Sequence, residues 1–480
     1  MKNISEYTVQ KDTTLIEGLK NINRGTEGIL LILDKKKLVG ILTDGDYRRL
    51  LLNNINFEDK VIDHANKNFV FSDNDEAKNQ KLSKLSNSIK HLPVLDKNGE
   101  ILDLLTLNDL LLVPISNPEI SENEKKYVLD ALNSGWISSQ GSYVKAFEKE
   151  LIDYLSQGKN DIYLTTTSSG TAALELVFKS LDIGVGDEVI LPSVTFGATA
   201  NSIINCGATP VFVDVSLETF NIDTTSIQKY INEKTKAIVV VHLYGNPVSA
   251  KPIIDICKKN DLFLIEDAAE AIGSKYKNNL CGTIGDAGTL SFFANKLITT
   301  GEGGAAIFKH KKHYERSLSI KNHGMDKDRK YWHNSVGSNY RLTNLQAALG
   351  LAQIEKIDYF LDSRNEIYEI YDSFFRESKD FIVPKLENSS ISSYWLYPVL
   401  CNPVNPQIFE KLYSHLEKDS IETRPVFPPL HIQKAFSTYK RCELPIAEKY
   451  FLKGLCLPVS NNMSDDEKNR IKNSLESFFK

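Results

Sequence analysis

The sequence contains few cysteines and no excess of basic residues, and both shortages exclude whole classes of function. Of its 480 residues only six are cysteines: Cys206, Cys257, Cys281, Cys401, Cys442 and Cys456. They form no CxxC pair and have no nearby ligand histidine, so we expect reduced thiols rather than a disulfide framework or a metal site. The 57 basic and 62 acidic residues leave a net charge of −5, which argues against nucleic acid as the main partner.

Long apolar runs are also missing. No stretch approaches the ~18 uninterrupted apolar residues of a membrane-spanning helix. Residues 1–6 carry no apolar core of the kind found in secretory signal peptides. Hydrophobic residues make up 41% and charged residues 25%, which is typical of soluble globular proteins. The sequence therefore predicts a cytoplasmic protein without a membrane partner, and its length favours more than one domain.

A pattern repeats near the start of the chain. An apolar hairpin at residues 28–42 leads into Thr43–Asp46, and a helix is predicted from Tyr47. A second hairpin at residues 91–105 leads into Thr106–Asp109 and another apolar helix. A repeated unit that cannot bury its own apolar face is best explained as a tandem pair packed together.

Residues 1–112 resemble a CBS-domain pair, which is a small α+β module. In that family the threonine and aspartate of the Thr-x-x-Asp motif hold the ribose and phosphate of an adenine nucleotide. The matching positions here are Thr43, Asp46, Thr106 and Asp109. Two alternatives stay open: these side chains cap the starts of helices, or the module serves only as a regulatory or assembly element through contacts between subunits.

A proline-containing segment at residues 113–120 separates this module from a larger domain that runs to residue 480. Residues 121–343 alternate between helical patterns and short apolar runs, which predicts an α/β fold with a mainly parallel sheet. The apolar runs are Glu188–Leu191, Ala237–His242 and Leu262–Ile265. Residues 344–480 begin with a helical stretch at 345–375 and continue with mixed short elements, which predicts a smaller α+β C-terminal subdomain.

The first motif that carries chemistry is a run of small and hydroxyl residues that opens a helix ending near Leu181. It includes Ser169, Gly170 and Thr171. The start of a helix has free N–H groups and a partial positive charge, and both favour a phosphate. The alternative is an ordinary serine or threonine cap.

Two further motifs place an acid and an amine near strand ends. Asp267 follows an apolar strand, and ligands bind at the carboxyl edge of open α/β sheets. A carboxylate buried there needs a cation or several donors, although a helix cap is the alternative. Lys296 lies five residues after Ser291 and just before the glycine-rich residues 301–304. A solvated surface lysine is the alternative there.

An aromatic residue, Phe196, follows the strand that ends at Leu191 and reaches the same sheet edge, unless it belongs to the core. A phosphate cradle, an aspartate, a stacking ring and a lysine together describe a site for pyridoxal phosphate. This cofactor needs a lysine for its Schiff base and a carboxylate that keeps the pyridine nitrogen protonated.

Residues from about 113 to the C-terminus resemble the DegT/DnrJ/EryC1/StrS family of fold-type I, pyridoxal-phosphate-dependent sugar aminotransferases. The motifs that carry the resemblance are residues 135–141 (GWISSQG), 169–174 (SGTAAL), 186–190 (GDEVI), 266–271 (EDAAEA) and 295–304 (NKLITTGEGG). The resemblance implies a central sheet, a smaller C-terminal subdomain and a homodimer or higher homo-oligomer.

Carried over by position, the resemblance implies that Lys296 forms the Schiff base, Asp267 pairs with the pyridine nitrogen and Phe196 covers the ring. Glu270 falls where the family often has Gln or His near the phenolic oxygen, and a carboxylate there would repel a phenolate. The remaining cofactor-binding residues are those around the phosphate and those that reach into the neighbouring subunit's site: Ser169, Gly170, Thr171, Ser291, Asn339 and Arg341.

The segment Tyr331–Asn344 looks most like the branch that aminates C4 of GDP-4-keto-6-deoxymannose, with L-glutamate as donor, to give GDP-perosamine for surface polysaccharide. Relatives that dehydrate at C3 carry a histidine where this chain has Lys296, so the lysine favours amino transfer. Two alternatives stay open: the same chemistry on a UDP- or dTDP-linked 4-keto sugar, or a non-catalytic, ligand-sensing regulator with this fold.

Overall fold

The computed structural model describes residues 4–25, 27–53, 55–86, 89–110, 112–159, 161–439 and 444–480. Cys442, one of the six predicted free thiols, lies outside these residues. The chain divides into two compact units, residues 1–112 and residues 113–480. Among the described residues, no helix is both long enough and apolar enough to cross a membrane.

The N-terminal unit contains two copies of one arrangement. In each copy the middle strand pairs in parallel with the first strand and antiparallel with the third. The elements are β1 (Thr8–Gln10), α1 (Leu15–Arg24), β2 (Ile29–Asp34), β3 (Lys37–Thr43), α2 (Asp44–Leu52), α3 (Val61–His64), β4 (Ser72–Asp73), α4 (Lys78–Lys84), β5 (His91–Leu95), β6 (Ile101–Thr106) and α5 (Leu107–Leu110).

The two copies share an apolar core. One buried cluster joins side chains from both copies, which are Tyr7, Ile29, Leu31, Leu38, Leu95 and Leu104. Strands β2 and β5 are buried along most of their length, and each pairs with a strand on both sides. This packing explains why the apolar hairpin occurs twice in the sequence, since each copy covers part of the other.

The helix predicted from Tyr47 begins three residues earlier, at Asp44, because Thr43 and Asp46 cap it. The Thr43 backbone N–H and hydroxyl donate to Asp46 Oδ2 at 2.8 and 2.6 Å, and the Asp46 N–H donates to the Thr43 hydroxyl at 3.3 Å. In the second copy the Thr106 N–H and hydroxyl each donate to Asp109 Oδ2 at 2.6 Å. These four side chains therefore act as helix caps, and adenine-nucleotide binding by them stays a prediction.

The larger unit is built on a seven-stranded sheet with the order β7-β15-β14-β11-β10-β8-β9. Its strands are parallel except β15, which pairs antiparallel with both of its neighbours. The strands of this region are β7 (Tyr163–Thr167), β8 (Glu188–Pro192), β9 (Thr209–Val213), β10 (Thr235–Val241), β11 (Phe263–Asp267), β12 (Lys275–Tyr276), β13 (Asn279–Leu280), β14 (Ala287–Ser291) and β15 (Gly304–Phe308). The predicted α/β class with a mainly parallel sheet is confirmed.

Helices cover the sheet, so its strands are buried on both faces as their apolar runs require. The helices of this region are α6 (Glu122–Asn133), α7 (Ser142–Ser156), α8 (Gly170–Ser180), α9 (Gly197–Asn205), α10 (Ala250–Asn260) and α11 (Lys311–Ile320). Within the described residues, short 3₁₀ segments occur at Ile4–Glu6, Ile227–Tyr230, Leu243–Gly245, Leu430–Ile432 and Lys434–Phe436.

The C-terminal region has a four-stranded antiparallel sheet with the order β16-β18-β20-β19. Its elements are α12 (Asn344–Ile354), α13 (Ile357–Phe375), β16 (Phe381–Ile382), β17 (Ser390–Ile391), β18 (Tyr397–Cys401), α14 (Ile408–Lys418), β19 (Arg424–Pro425), α15 (Pro445–Tyr450), β20 (Gly454–Leu457) and α16 (Asp465–Phe479). The helical stretch predicted at 345–375 is two helices that meet at Lys356. There the lysine ammonium pairs with Glu124 at 2.8 Å, a contact that local sequence does not reveal.

We expect residues 113–480 to fold and act without the N-terminal unit, because both units contain buried clusters of their own. A variant that begins at Val113 should stay soluble, unfold cooperatively and bind pyridoxal phosphate with the affinity of the full chain. Thermal denaturation and a cofactor titration, each with the full chain as control, measure this. An insoluble product, or one that no longer binds the cofactor, would show that the two units form one folding unit.

Candidate active site

The sheet brings the residues of separate sequence motifs to one edge. Ser291, at the end of β14, is level with Gly304 of β15, which is in turn level with Thr167 at the end of β7. Asp267, at the end of β11, is level with Thr289 of β14. Because the parallel strands end on the same side, the turns that follow them meet above this edge.

Lys296 lies in the turn that follows β14, with only 11% of its side chain exposed. Its Nζ is 3.9 Å from Glu270 Oε1 and 3.8 Å from the centre of the Trp395 ring. Burial lowers the pKa of Lys296 below its ordinary value, and the carboxyl groups of Glu270 and Asp267 oppose that change. A lowered pKa increases the neutral fraction of the amine, which is the form that acts as a nucleophile or base.

Asp267 is buried and its carboxylate is held from two sides. The Thr199 hydroxyl donates to Oδ2 at 2.7 Å, and the Ala269 N–H donates to Oδ1 at 3.2 Å. The Thr195 and Thr199 hydroxyl oxygens are 3.1 Å apart, which extends the chain of hydrogen bonds. Burial raises the pKa of Asp267, while the hydrogen bonds and the positive charge of Lys296 favour its ionised form. The carboxylate is thus fixed in direction at the sheet edge.

Glu270 is also buried, one turn of chain beyond Asp267. Its Oε2 accepts the Tyr244 N–H at 2.7 Å, and its Oε1 faces Lys296. Burial raises the pKa of Glu270 to about 7, with the Lys296 charge opposing. Near neutral pH this side chain therefore carries a proton part of the time, so it can donate a hydrogen bond as well as accept one.

The predicted phosphate residues converge at the start of α8. Ser169 is the N-cap, and its hydroxyl accepts the Ala172 N–H at 3.1 Å. The first N–H groups of α8, at Gly170 and Thr171, have no acceptor within the helix. A Cβ on Gly170 would lie 2.9 Å from the Ser291 Cβ, so a side chain there would displace Ser291. Glycine is thus required where helix and strand end approach each other, and the helix dipole favours an anion there.

Phe196 lies at the N-cap of α9 with 62% of its surface exposed, so its ring is free to cover a ligand. Its ring centre is 5.8 Å from that of Phe427, whose ring stacks on Tyr244 at 5.4 Å. Tyr244 in turn stacks on Trp395, with 10° between the ring planes. An aromatic wall, defined as these four rings, therefore runs from Phe196 to Lys296.

These features fit pyridoxal phosphate. The cofactor has an anionic phosphate, a basic ring nitrogen and an aldehyde, and the site offers a helix start, a carboxylate and an amine. The oxygen Oδ1 of Asn295, next to Lys296, is buried with no hydrogen-bond partner in the structure. A bound ligand with a donor would satisfy it.

Two predicted residues, Asn339 and Arg341, both contact Asn322. Asn339 is exposed and forms an isolated β-bridge with Asn322. Arg341 donates from Nη1 to Asn322 Oδ1 at 2.6 Å. The expectation that Asn339 and Arg341 serve the site of a neighbouring subunit stays a prediction.

Three contacting residues were not found from the sequence. Thr199 directs Asp267, Trp395 contacts the Lys296 amine, and Arg364 donates to the Lys296 carbonyl oxygen at 3.5 Å. Thr199 could have been noticed, because it is a hydroxyl residue in the first turn of α9, just after the motif that contains Phe196. Trp395 and Arg364 lie far along the chain, and no local pattern marks them.

Known proteins resemble both parts of the chain. The GDP-perosamine synthase of Escherichia coli O157:H7 is 41% identical over 368 residues, which are 76% of this chain and 98% of that protein. The GDP-perosamine synthase of Vibrio cholerae is 37% identical over 77% of this chain and 99% of that protein. Among solved structures, Helicobacter pylori PseC, an aminotransferase involved in the biosynthesis of pseudoaminic acid, superimposes with a TM-score of 0.72 at 30% identity. It covers 77% of this chain and 99% of its own.

Profiles of two families match separate regions. The CBS-domain profile matches residues 3–53, in the first copy of the N-terminal repeat. The second profile matches residues 118–476, which include all the side chains that meet at the sheet edge. The chain therefore belongs to the DegT/DnrJ/EryC1/StrS aminotransferase family and carries a CBS domain at its N-terminus.

Proposed function

We propose that this protein transfers the amino group of L-glutamate to C4 of GDP-4-keto-6-deoxymannose and releases GDP-perosamine. The observation that carries the proposal is a lysine amine, buried beside two carboxyl groups at a sheet edge, in a chain that aligns with nearly the whole of two GDP-perosamine synthases. The buried amine supports amino transfer, and the alignment with these two relatives supports the choice of sugar and nucleotide. We further propose that the protein works in the cytoplasm.

Pyridoxal phosphate, when bound, supplies an electron-withdrawing ring that stabilises negative charge on the carbon that loses a proton. The start of α8 with Ser291 would hold its phosphate, and Asp267 would keep its ring nitrogen protonated. Phe196 would cover one face of the ring. Glu270, with a pKa of about 7, would donate to the phenolic oxygen when protonated, which removes the repulsion that a carboxylate alone would cause.

Lys296 would move the proton. Its buried amine would take a proton from the donor's Cα and pass it to the cofactor in the first half of the reaction. In the second half it would take a proton from the cofactor and pass it to the carbon that was C4 of the keto sugar. The nearby carboxyl groups of Glu270 and Asp267 would stabilise the ammonium during each of these transfers. A buried base with a lowered pKa is suited to this task, because burial raises the neutral fraction of the amine above that of an exposed lysine while the carboxyl groups stabilise the charged form.

The substrate is tested by a screen. The purified protein, loaded with pyridoxal phosphate, is incubated with glutamate and GDP-, UDP- or dTDP-linked 4-keto-6-deoxy sugars, and products are read by mass spectrometry. We expect an amino sugar from the GDP-linked substrate, and the Lys296→Ala variant as control should give none. Product only from a UDP- or dTDP-linked sugar would move the assignment to that nucleotide. No product from any sugar would favour the ligand-sensing regulator.

Asp267→Asn should bind pyridoxal phosphate weakly and turn over slowly, since a neutral amide does not stabilise a protonated ring nitrogen.

Thr199→Val removes one donor to the Asp267 carboxylate, and a hydrogen bond to a charged group is worth about 1.5–3 kcal/mol. We expect at least a tenfold loss of cofactor affinity, with Thr199→Ser close to the wild type. Cofactor titration followed by fluorescence measures all three variants. Normal affinity and kinetics in Asp267→Asn would show that Asp267 is only a helix cap.

We propose a homodimer in which Asn339 and Arg341 complete the neighbouring subunit's site. Large apolar side chains exposed on this unit support an interface: Trp136, Ile137, Tyr331, Trp332 and Val336.

Mixing two inactive variants tests this sharing of residues. Lys296→Ala and Arg341→Ala should each abolish turnover, but subunit exchange between them creates one complete site in each mixed dimer. We expect about a quarter of the wild-type activity, because half of randomly paired dimers are mixed and each has one intact site out of two. No recovery, with exchange verified by native mass spectrometry, would place Arg341 in its own subunit's site.

A further inference from the structure

The Lys296 amine rests on the face of an indole. Its Nζ is 3.8 Å from the centre of the Trp395 ring, whereas the nearest carboxylate oxygen among the described residues, Glu270 Oε1, is 3.9 Å away. That oxygen is beyond hydrogen-bonding distance. The amine therefore lies over the indole face without a close ion pair to Glu270, and both side chains are largely buried.

The indole is held in place from several sides. Its Nε1–H donates to the Asn295 carbonyl oxygen at 2.9 Å, so the ring is tied to the residue that precedes the lysine. One ring face stacks on Tyr244. Gly245 permits this approach, because its φ is +90° and a Cβ there would lie 3.2 Å from the Trp395 backbone nitrogen.

Arg364 joins the segment of Trp395, which precedes β18, to the turn of Lys296. Its buried guanidinium donates to the Trp395 carbonyl oxygen at 3.2 Å and to the Lys296 carbonyl oxygen at 3.5 Å. Its Nε donates to Asn461 Oδ1 at 2.6 Å, and Asn461 donates to the Leu297 carbonyl oxygen at 2.8 Å. The backbones of the tryptophan and the lysine are thus fixed relative to each other, so their contact is built into the fold.

We propose that the Lys296 ammonium binds to the face of the Trp395 indole whenever the amine is not bonded to the cofactor. This inference rests on the proposed amino transfer. A cation over an indole face is stabilised by the negative potential of the ring, and the effect grows when water is excluded. In each half-reaction the released amine accepts the proton that a carbon loses. The ring holds the resulting ammonium within reach until it returns the proton.

The groups that act on this ammonium come from the end of β11 with its following turn, from α13 and from the segment before β18. Glu270 and Asp267 favour the charged form, and Arg364 disfavours it. Trp395 adds an attraction that requires no second buried charge. A carboxylate in its place would bind the ammonium more tightly, and the amine would then return the proton less readily.

Competitive acetylation of the cofactor-free full chain measures the contact directly. The rate of acetylation at Lys296 is read by mass spectrometry over a range of pH. The pH at which the rate is half of its maximum, the midpoint, reports the protonation of the amine, and the constant rate at high pH, the plateau, reports how accessible the amine is to the reagent. We expect Trp395→Leu to move the midpoint to lower pH. At a pH below the midpoint, labelling relative to the variant's own plateau should rise about threefold to thirtyfold. Trp395→Phe should lie between Trp395→Leu and the wild type.

The matched control is Phe427→Leu, which removes a ring of the same aromatic wall that stacks on Tyr244 and not on the amine. Its midpoint should equal that of the wild type, although its plateau changes if access changes. An unchanged midpoint in Trp395→Leu, or an equal shift in Phe427→Leu, would overturn the proposal, because either result would mean that the tryptophan only packs.

Fluorinated tryptophans keep the size of the ring and weaken its negative potential, so they test the proposal in a protein that folds as the wild type does. The midpoint should fall stepwise as fluorine atoms are added, and a constant midpoint would refute the proposal. Because this experiment needs no sugar substrate, its failure is separate from a failure of the proposed function. A shifted midpoint with no sugar product leaves the contact established and the function wrong.

Discussion

The burial of one amine dictates much of the site around it. Moving an ammonium from water into a protein interior is costly unless nearby groups stabilise the charge. Around Lys296 that stabilisation is divided between two carboxyl groups and an indole ring, none of which forms a close ion pair with it. The charged form of the amine is therefore stabilised, but not so strongly that it cannot lose its proton. A group that both accepts and donates a proton requires this balance.

The sheet makes this arrangement possible. Asp267, Ser291 and the start of α8 follow strands that end at one edge, and backbone pairing fixes their heights relative to one another. Small residues then allow close approach, as at Gly170 beside Ser291. The C-terminal region closes the site by bringing Trp395 and Arg364 against the turn of Lys296. The site is thus built from two parts: the edge of the sheet, and residues of the C-terminal region that pack against that edge.

The same division explains what the sequence could predict. Strands such as β8, β10 and β11 are apolar runs bounded by polar residues, so the class of fold could be predicted from the sequence. A motif that follows such a run lies at the end of a strand, so the candidate residues at the sheet edge could be predicted as well. Trp395 and Arg364 were not, because their role depends on contacts between segments far apart in sequence. The early start of α2 was missed because a reciprocal cap between Thr43 and Asp46 extends the helix beyond its apolar pattern.

We propose that Lys296 is the amine that bonds to the cofactor, and reduction with borohydride is the decisive test of this claim. The full chain is loaded with pyridoxal phosphate, reduced with borohydride, digested and mapped by mass spectrometry. Reduction makes the bond between cofactor and amine permanent, so the label marks the reacting residue. We predict one labelled residue, Lys296, and no label after loading of Lys296→Ala. A label on any other lysine, or none on the wild-type chain, would contradict the claim.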